Sequence, residues 1–180
     1  MSIVKLLALG TLLLLTGCGD TFDDLAPSGK DRRPTVEKNV PGSYVGQNAA
    51  DFTLPDTLGE NVNLATELAD AKGVVLYFNM WCPICDSHMS HMRSYVVPDF
   101  PDVKFLIVDY VSGSVERSRS AQLSNGYAGF TVLVDTDGSV LNQFDATMGT
   151  TVVIDSAGII RMNEDYKDGS KLYDTLEALP

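Results

Sequence analysis

Cysteine is scarce in this chain. Its 180 residues include three, too few for a disulfide scaffold or a four-thiolate zinc site, so position must decide what each one does. Bases are scarce too, 13 against 24 acids, for a formal net charge of −11. The first 43 residues carry five charges of each sign, which leaves 19 acids against 8 bases in the remainder. An acidic folded part repels phosphate backbones and anionic headgroups, which argues against nucleic-acid binding and against membrane attachment by charge. There is no internal repeat, and no apolar run reaches the roughly 20 residues of a membrane-spanning helix. What remains, with 44% hydrophobic residues, suffices for one ordinary core plus a short appendage.

The chain opens with Lys5 followed by an apolar run from Leu6 to Leu15 that ends in small residues. One positive charge, a short apolar stretch and no stop-transfer flank are the plan of a cleaved signal peptide, residues 1–17. The end of the run, Leu15-Thr16-Gly17-Cys18, resembles the bacterial lipobox, which implies acylation of Cys18 and cleavage before it. Acyl chains contribute about 0.8 kcal/mol per buried methylene, so several would anchor the protein permanently. Residues 18–43 are polar, broken by Pro27, Pro34 and Pro41, and without helical or strand period. They are expected to form a flexible, lipidated tether to a domain spanning residues 44–180. The implied location is the bacterial cell envelope, on the extracytoplasmic face, where cysteines oxidise unless something reduces them.

Within the domain, Val45 to Asp56 and Leu58 to Leu64 read as two short strands around a turn at Gly59, followed by a short helix near Thr66 to Ala71. Val74-Val75-Leu76-Tyr77-Phe78 is a continuous apolar run of strand length, the pattern of a strand buried on both faces. Cys85, Met89 and Met92 then recur at helical spacing until Pro98. Further strands are expected at Val103 to Tyr110 and Thr131 to Asp135, with a polar helix from Ser114 between them and a short helix through Phe144 after them. Thr151 to Asp155 and Ile159 to Met162 flank Ser156-Ala157-Gly158, a hairpin signal, and an amphipathic helix closes the chain. Strands alternating with helices and ending in hairpin plus helix specify an α/β fold with a mixed central sheet flanked by helices.

Trp81-Cys82-Pro83-Ile84-Cys85 places two cysteines where the buried strand ends and a helix begins. At a helix start, unpaired N–H groups and the positive end of the dipole favour a thiolate, so Cys82 is expected to be the nucleophile. Pro83 suits the first turn, where no backbone donor is needed. Cys85 lies within disulfide reach and can resolve a mixed disulfide formed by Cys82. A purely structural disulfide across four residues would remove little chain entropy. A zinc site from Cys82, Cys85, His88 and His91 fails on geometry: at about 100° per residue, Cys82 and His91 fall on opposite faces of the helix.

Trp-Cys-Pro-x-Cys after an apolar strand resembles the thioredoxin-like superfamily, and more narrowly the membrane-tethered TlpA/ResA-like thiol-disulfide oxidoreductases. Val45-Gly46 with Ala50-Asp51-Phe52-Thr53-Leu54-Pro55 and Gly59 is similar to the N-terminal hairpin of that branch. Thr150-Thr151-Val152-Val153-Ile154-Asp155 with Gly158 is similar to its penultimate hairpin. The resemblance implies a thioredoxin-like fold with an N-terminal β-hairpin extension and a redox-active Cys82–Cys85 pair needing neither cofactor nor metal. It also implies exported protein thiols or disulfides as substrates, a membrane electron donor or acceptor for recycling, and a monomer. Trp81, Pro83, Met148 and Gly149 are the candidate substrate contacts.

Three positions depart from the pattern. Gly149, after Met148, stands where relatives have a cis-proline facing the cysteines. Leu76 stands in place of a buried aspartate of thioredoxins, and His88 in place of a glutamate one turn after the second cysteine. The usual proton acceptor is therefore absent. His88 is a candidate replacement, because an imidazole titrates near neutrality; the alternative is an ordinary helix-surface histidine. His91 is expected to be solvated, and Met89 and Met92 to be core.

Two other functions remain open. The hairpin is shared with peroxiredoxins, although Val75 and Asn79 occupy the Pro and Thr positions of their Pro-x-x-x-Thr-x-x-Cys signature. Cu(I) delivery is the other: soft thiolates select Cu(I), and Cys82, Cys85 and His88 are close in sequence. Copper-carrying relatives, however, space their cysteines by three residues and add a distant histidine.

Overall fold

The apolar run at the centre of the sequence forms the centre of the sheet. In the computed structural model, which describes residues 35–180, β3 (Gly73–Asn79) is buried at all seven positions. It lies parallel to β4 (Val103–Asp109) and antiparallel to β6 (Thr150–Asp155). With β5 (Thr131–Val134) and β7 (Ile160–Asp165) at the edges, the five-stranded order is β5-β4-β3-β6-β7. A two-stranded antiparallel hairpin, β1 (Thr53–Pro55) with β2 (Asn61–Asn63), precedes it. Helices α1 (Leu64–Ala69), α2 (Pro83–His91), α3 (Val115–Ser124), α4 (Ser139–Gln143) and α5 (Ser170–Glu177) complete the mixed α/β, thioredoxin-like fold with its N-terminal hairpin.

Strand alternation divides β3 between two cores. Val74, Leu76 and Phe78 pack with Leu64, Val108, Phe144 and Ile154 on one face. Val75 and Tyr77 pack with Cys85, Met89, Met92 and Ile107 on the other. Met89 and Met92 are core, as their spacing implied; each fully buried side chain of this size stabilises by about 1.5–3 kcal/mol. Leu76 is fully buried in apolar surroundings, so the place of the missing aspartate is filled by packing.

Differences from expectation are local. The helix after Cys85 does not run unbroken to Pro98: α2 ends at His91 and passes into a π-helical turn, Met92–Val96, and a 3-10 turn, Val97–Asp99. Pro98 has no N–H to donate, so the α ladder cannot continue through it, and the altered turns keep Met92 and Val96 buried. Strand β7 runs past its apolar residues to Asp165, because pairing with β6 continues to Thr150↔Asp165.

The folded unit also begins before Tyr44, at Val36. Asn39 N–H donates to Gly46 O at 2.9 Å and Asn48 N–H to Val40 O at 2.9 Å, while Gly46 and Gln47 bond to Ile160 along the β7 edge. Pro41, read as chain-breaking, shapes this turn together with Gly42, whose N–H donates to Asn48 O at 3.1 Å. The signal peptide, Cys18 and residues 18–34 of the tether lie outside the described residues. Among the described residues, no helix is long and apolar enough to cross a membrane.

Candidate active site

Cys82 and Cys85 are disulfide-bonded, with Cα atoms 5.1 Å apart. Cys82 is the N-cap of α2, in extended conformation, and its Sγ accepts a hydrogen bond from Cys85 N at 3.3 Å. A sulfur thus occupies the capping position normally held by a serine or aspartate oxygen, facing a free amide of the first helical turn. Pro83 begins the helix and is exposed, as is Ile84. Cys82 is half-buried and Cys85 fully buried, an asymmetry that suits an attacking and a resolving sulfur.

The turn between β3 and α2 is anchored by two side chains. Trp81 has φ +57°, the left-handed region that a bulky residue occupies only under constraint. Asn79 Oδ1 accepts from Trp81 N at 2.9 Å, and the indole Nε1–H donates to Asp109 Oδ2 at 2.7 Å. Asp109, paired with Asn79 across β3 and β4, is itself buried and held by Ser112 Oγ at 2.5 Å, Ser118 Oγ at 2.6 Å and the backbone N–H groups of Val111 and Ser112. The indole beside Cys82 is therefore fixed by a carboxylate that is itself immobilised.

One turn after Cys85, His88 is half-buried. Its Nδ1 lies 2.9 Å from the Tyr77 hydroxyl, and its ring packs 4.6 Å from that of Tyr166. Burial pushes the Tyr77 phenol well above its usual range, so its hydroxyl stays protonated beside the ring nitrogen. Burial first, and the neighbouring His91 second, lower the pKa of His88 below the ordinary value of 6.5. As pH falls below about 6.5 the unfolded chain protonates first, so this residue's contribution to stability is lost on acidification. His88→Gln is expected to flatten the fall of Tm between pH 7 and pH 5 relative to wild type; an unchanged or steeper slope would contradict this environment. His91 is not solvated as expected: its Nδ1 lies 2.6 Å from Tyr166 OH, and its ring packs 5.0 Å from that of Tyr95.

Gly149 has φ +86°, its N–H donates to Phe78 O at 2.9 Å, and its O accepts from Tyr166 N at 2.8 Å. These bonds explain the missing proline, whose ring requires φ near −65° and which has no N–H. A Cβ here would stand 3.7 Å from His88 Cε1, so the Gly149 loop and His88 are neighbours. Gly149→Pro is expected to destabilise by about 3 kcal/mol or more instead of restoring the family loop, as denaturant unfolding would show. Met148 is exposed at this loop, and Met80 and Ile84 are exposed at the cysteines.

Sequence patterns did not signal Asn79, Asp109, Tyr77 or Tyr166 as site residues. The available signal was an amide and a carboxylate at the ends of two mostly apolar strands. Among the described residues, no group of three or more His, Cys, Asp or Glu is gathered to hold a metal ion. A cavity of about 370 Å³ lined by Arg93, Tyr127 and Phe130 contains none of the expected site residues.

Comparison with known proteins follows the same lines. Peroxidoxin BcpB from Mycobacterium tuberculosis shares the fold at 24% identity and TM-score 0.64, covering 76% of this chain and 97% of its own. The dsbF protein of MTB, solved in mixed oxidised and reduced forms, matches at 25% identity and TM-score 0.59, over 72% of this chain and 95% of its own. A secreted Mycobacterium tuberculosis disulfide oxidoreductase homologous to E. coli DsbE matches at 23% and 0.57, over 71% and 96%. No curated protein sequence matches. The AhpC/TSA family pattern runs from residue 45 to residue 163, through the hairpin, both cysteines and the Gly149 loop, and the chain belongs to the AhpC/TSA family.

Proposed function

We propose that the protein is a thiol-disulfide oxidoreductase of the TlpA/ResA-like kind, lipid-anchored through Cys18 at the cell envelope and acting on exported proteins. The observation that carries this proposal is the Cys82 sulfur capping α2 while bonded to the buried sulfur of Cys85. In the reducing direction, the Cys82 thiolate attacks a substrate disulfide, forming a mixed disulfide and releasing one substrate thiolate. Cys85, deprotonated, then attacks Cys82 Sγ; the intramolecular disulfide forms and the second substrate thiolate leaves with the electron pair. Two electrons pass to the substrate, and a membrane electron donor or acceptor resets the pair. Trp81, Pro83, Met148 and Gly149 offer the apolar and backbone contacts for an extended substrate segment. The test is exchange between reduced protein and a peptide disulfide, with stoichiometric formation of Cys82–Cys85; no exchange above the rate of a free dithiol would overturn the proposal. Anchoring is tested separately, since Cys18→Ala is expected to move the protein from the membrane fraction to the soluble one.

A second reading, thiol peroxidase, is favoured by the family itself. Against it stands Asn79 in the place of the peroxide-binding threonine, its Oδ1 already engaged by Trp81 N. Stopped-flow oxidation of the dithiol by micromolar hydrogen peroxide separates the two, with a free-thiol rate expected.

A further inference from the structure

The proposed exchange leaves one step without a partner: Cys85 must ionise while buried in an apolar cluster that includes Tyr77, Met89 and Ile107. Leu76 offers no carboxylate, and the Nδ1 of His88 is engaged by Tyr77. Cys82 Sγ already has the Cys85 N–H as donor, whereas among the described residues no hydrogen bond reaches Cys85 Sγ.

Asn79 has what this step needs. It is fully buried at the end of β3, three residues before Cys82. Alternation along the strand puts it on the same sheet face as Val75 and Tyr77, the face that packs Cys85. Its amide orientation is settled by chemistry, because Trp81 N–H requires an acceptor and Oδ1 supplies it. Nδ2 is then a buried donor with no hydrogen-bond partner in the disulfide form. An orphaned buried donor costs free energy, and one on the sheet face that packs Cys85 acquires a purpose if an acceptor comes within its reach only when the disulfide opens.

We infer that Asn79 Nδ2 is the hydrogen-bond donor to the Cys85 thiolate, unpartnered in the disulfide and satisfied once the disulfide opens. In this role Asn79 acts in the second step, on the resolving sulfur. When Cys85 loses its proton to solvent, N–H···S⁻ donation stabilises the anion that attacks Cys82. The same donor favours the dithiol over the disulfide at equilibrium, because the orphan is relieved only in the reduced state.

This inference rests on the proposed exchange reaction, and two measurements separate the fates of the two. In wild-type protein the Asn79 side-chain amide resonances are expected to shift on reduction, and in the dithiol to titrate together with Cys85 deprotonation. Resonances that stay in place across both redox states would overturn the inference, whatever the exchange assay shows, with no variant to misfold. In Asn79→Ala, resolution of a preformed mixed disulfide between Cys82 and glutathione is expected to slow about tenfold more than alkylation of Cys82 slows. The dithiol/disulfide equilibrium should move toward the disulfide by about the same factor. Wild-type protein that resolves while the variant resolves equally fast would remove Asn79 from the reaction and leave the exchange intact. Wild-type protein that does not resolve at all would remove the exchange.

Discussion

With Cys85→Ser, protein carrying a reduced Cys82 is expected to accumulate covalent adducts with disulfide-bonded substrates, and with Cys82→Ser to accumulate none. The asymmetry follows from position: Cys82 is half-buried at the helix N-cap, where the Cys85 N–H faces its sulfur, whereas Cys85 is sealed in the core. Without Cys85 the mixed disulfide has no intramolecular sulfur to release it, so the adduct persists until an external thiol arrives. Without Cys82 the remaining thiol of the pair is buried away from a protein substrate, and exchange is expected to fall to the uncatalysed rate. Non-reducing gel mobility with reversal by dithiothreitol reads both variants. Equal trapping by the two would contradict the assigned roles.

Asp109→Leu is expected to cost about 3–5 kcal/mol of stability and roughly 10 °C or more in Tm. Five donors converge on this carboxylate: Trp81 Nε1, two serine hydroxyls and two backbone amides. A leucine satisfies none of them, and Ser118, fully buried, cannot turn to water instead. The loss is also local to the site. Trp81 is the single tryptophan of the chain, so its fluorescence reports directly on release of the indole from its anchor. A red-shifted emission in the folded variant is expected; an unchanged spectrum with unchanged Tm would mean that Asp109 does not hold Trp81. Ser118→Ala, which removes one of the five donors and leaves the carboxylate, should cost only about 1 kcal/mol.

The legible parts of this protein were those governed by period and local chemistry. A five-residue apolar run announced β3, proline after cysteine announced the first turn of α2, and Ser156-Ala157-Gly158 announced the β6–β7 turn. The two cysteines needed only their place at a strand-to-helix junction. What stayed hidden depends on contacts between residues far apart in the chain. Trp81 meets Asp109 28 positions on, and His91 meets Tyr166 75 positions on. No local pattern distinguishes such a histidine from a solvated one. Gly149 shows both sides: its identity in the sequence marked a departure from relatives, but only its positive φ and its bond to Phe78 O explain why a proline does not fit. The turn at Pro41-Gly42 was obscured for a similar reason, since residues that break periodic structure also build turns that dock on a sheet edge.

Titration of the wild-type protein in glutathione redox buffers, quenched with acid and followed by mass-resolved alkylation, tests the redox couple at its root. A single reversible two-electron transition is expected, in which both thiols of Cys82 and Cys85 appear together and Cys82 alkylates first at neutral pH. Two cysteines that remain locked across the whole range, or that react independently with the pH profile of free cysteine, would contradict it.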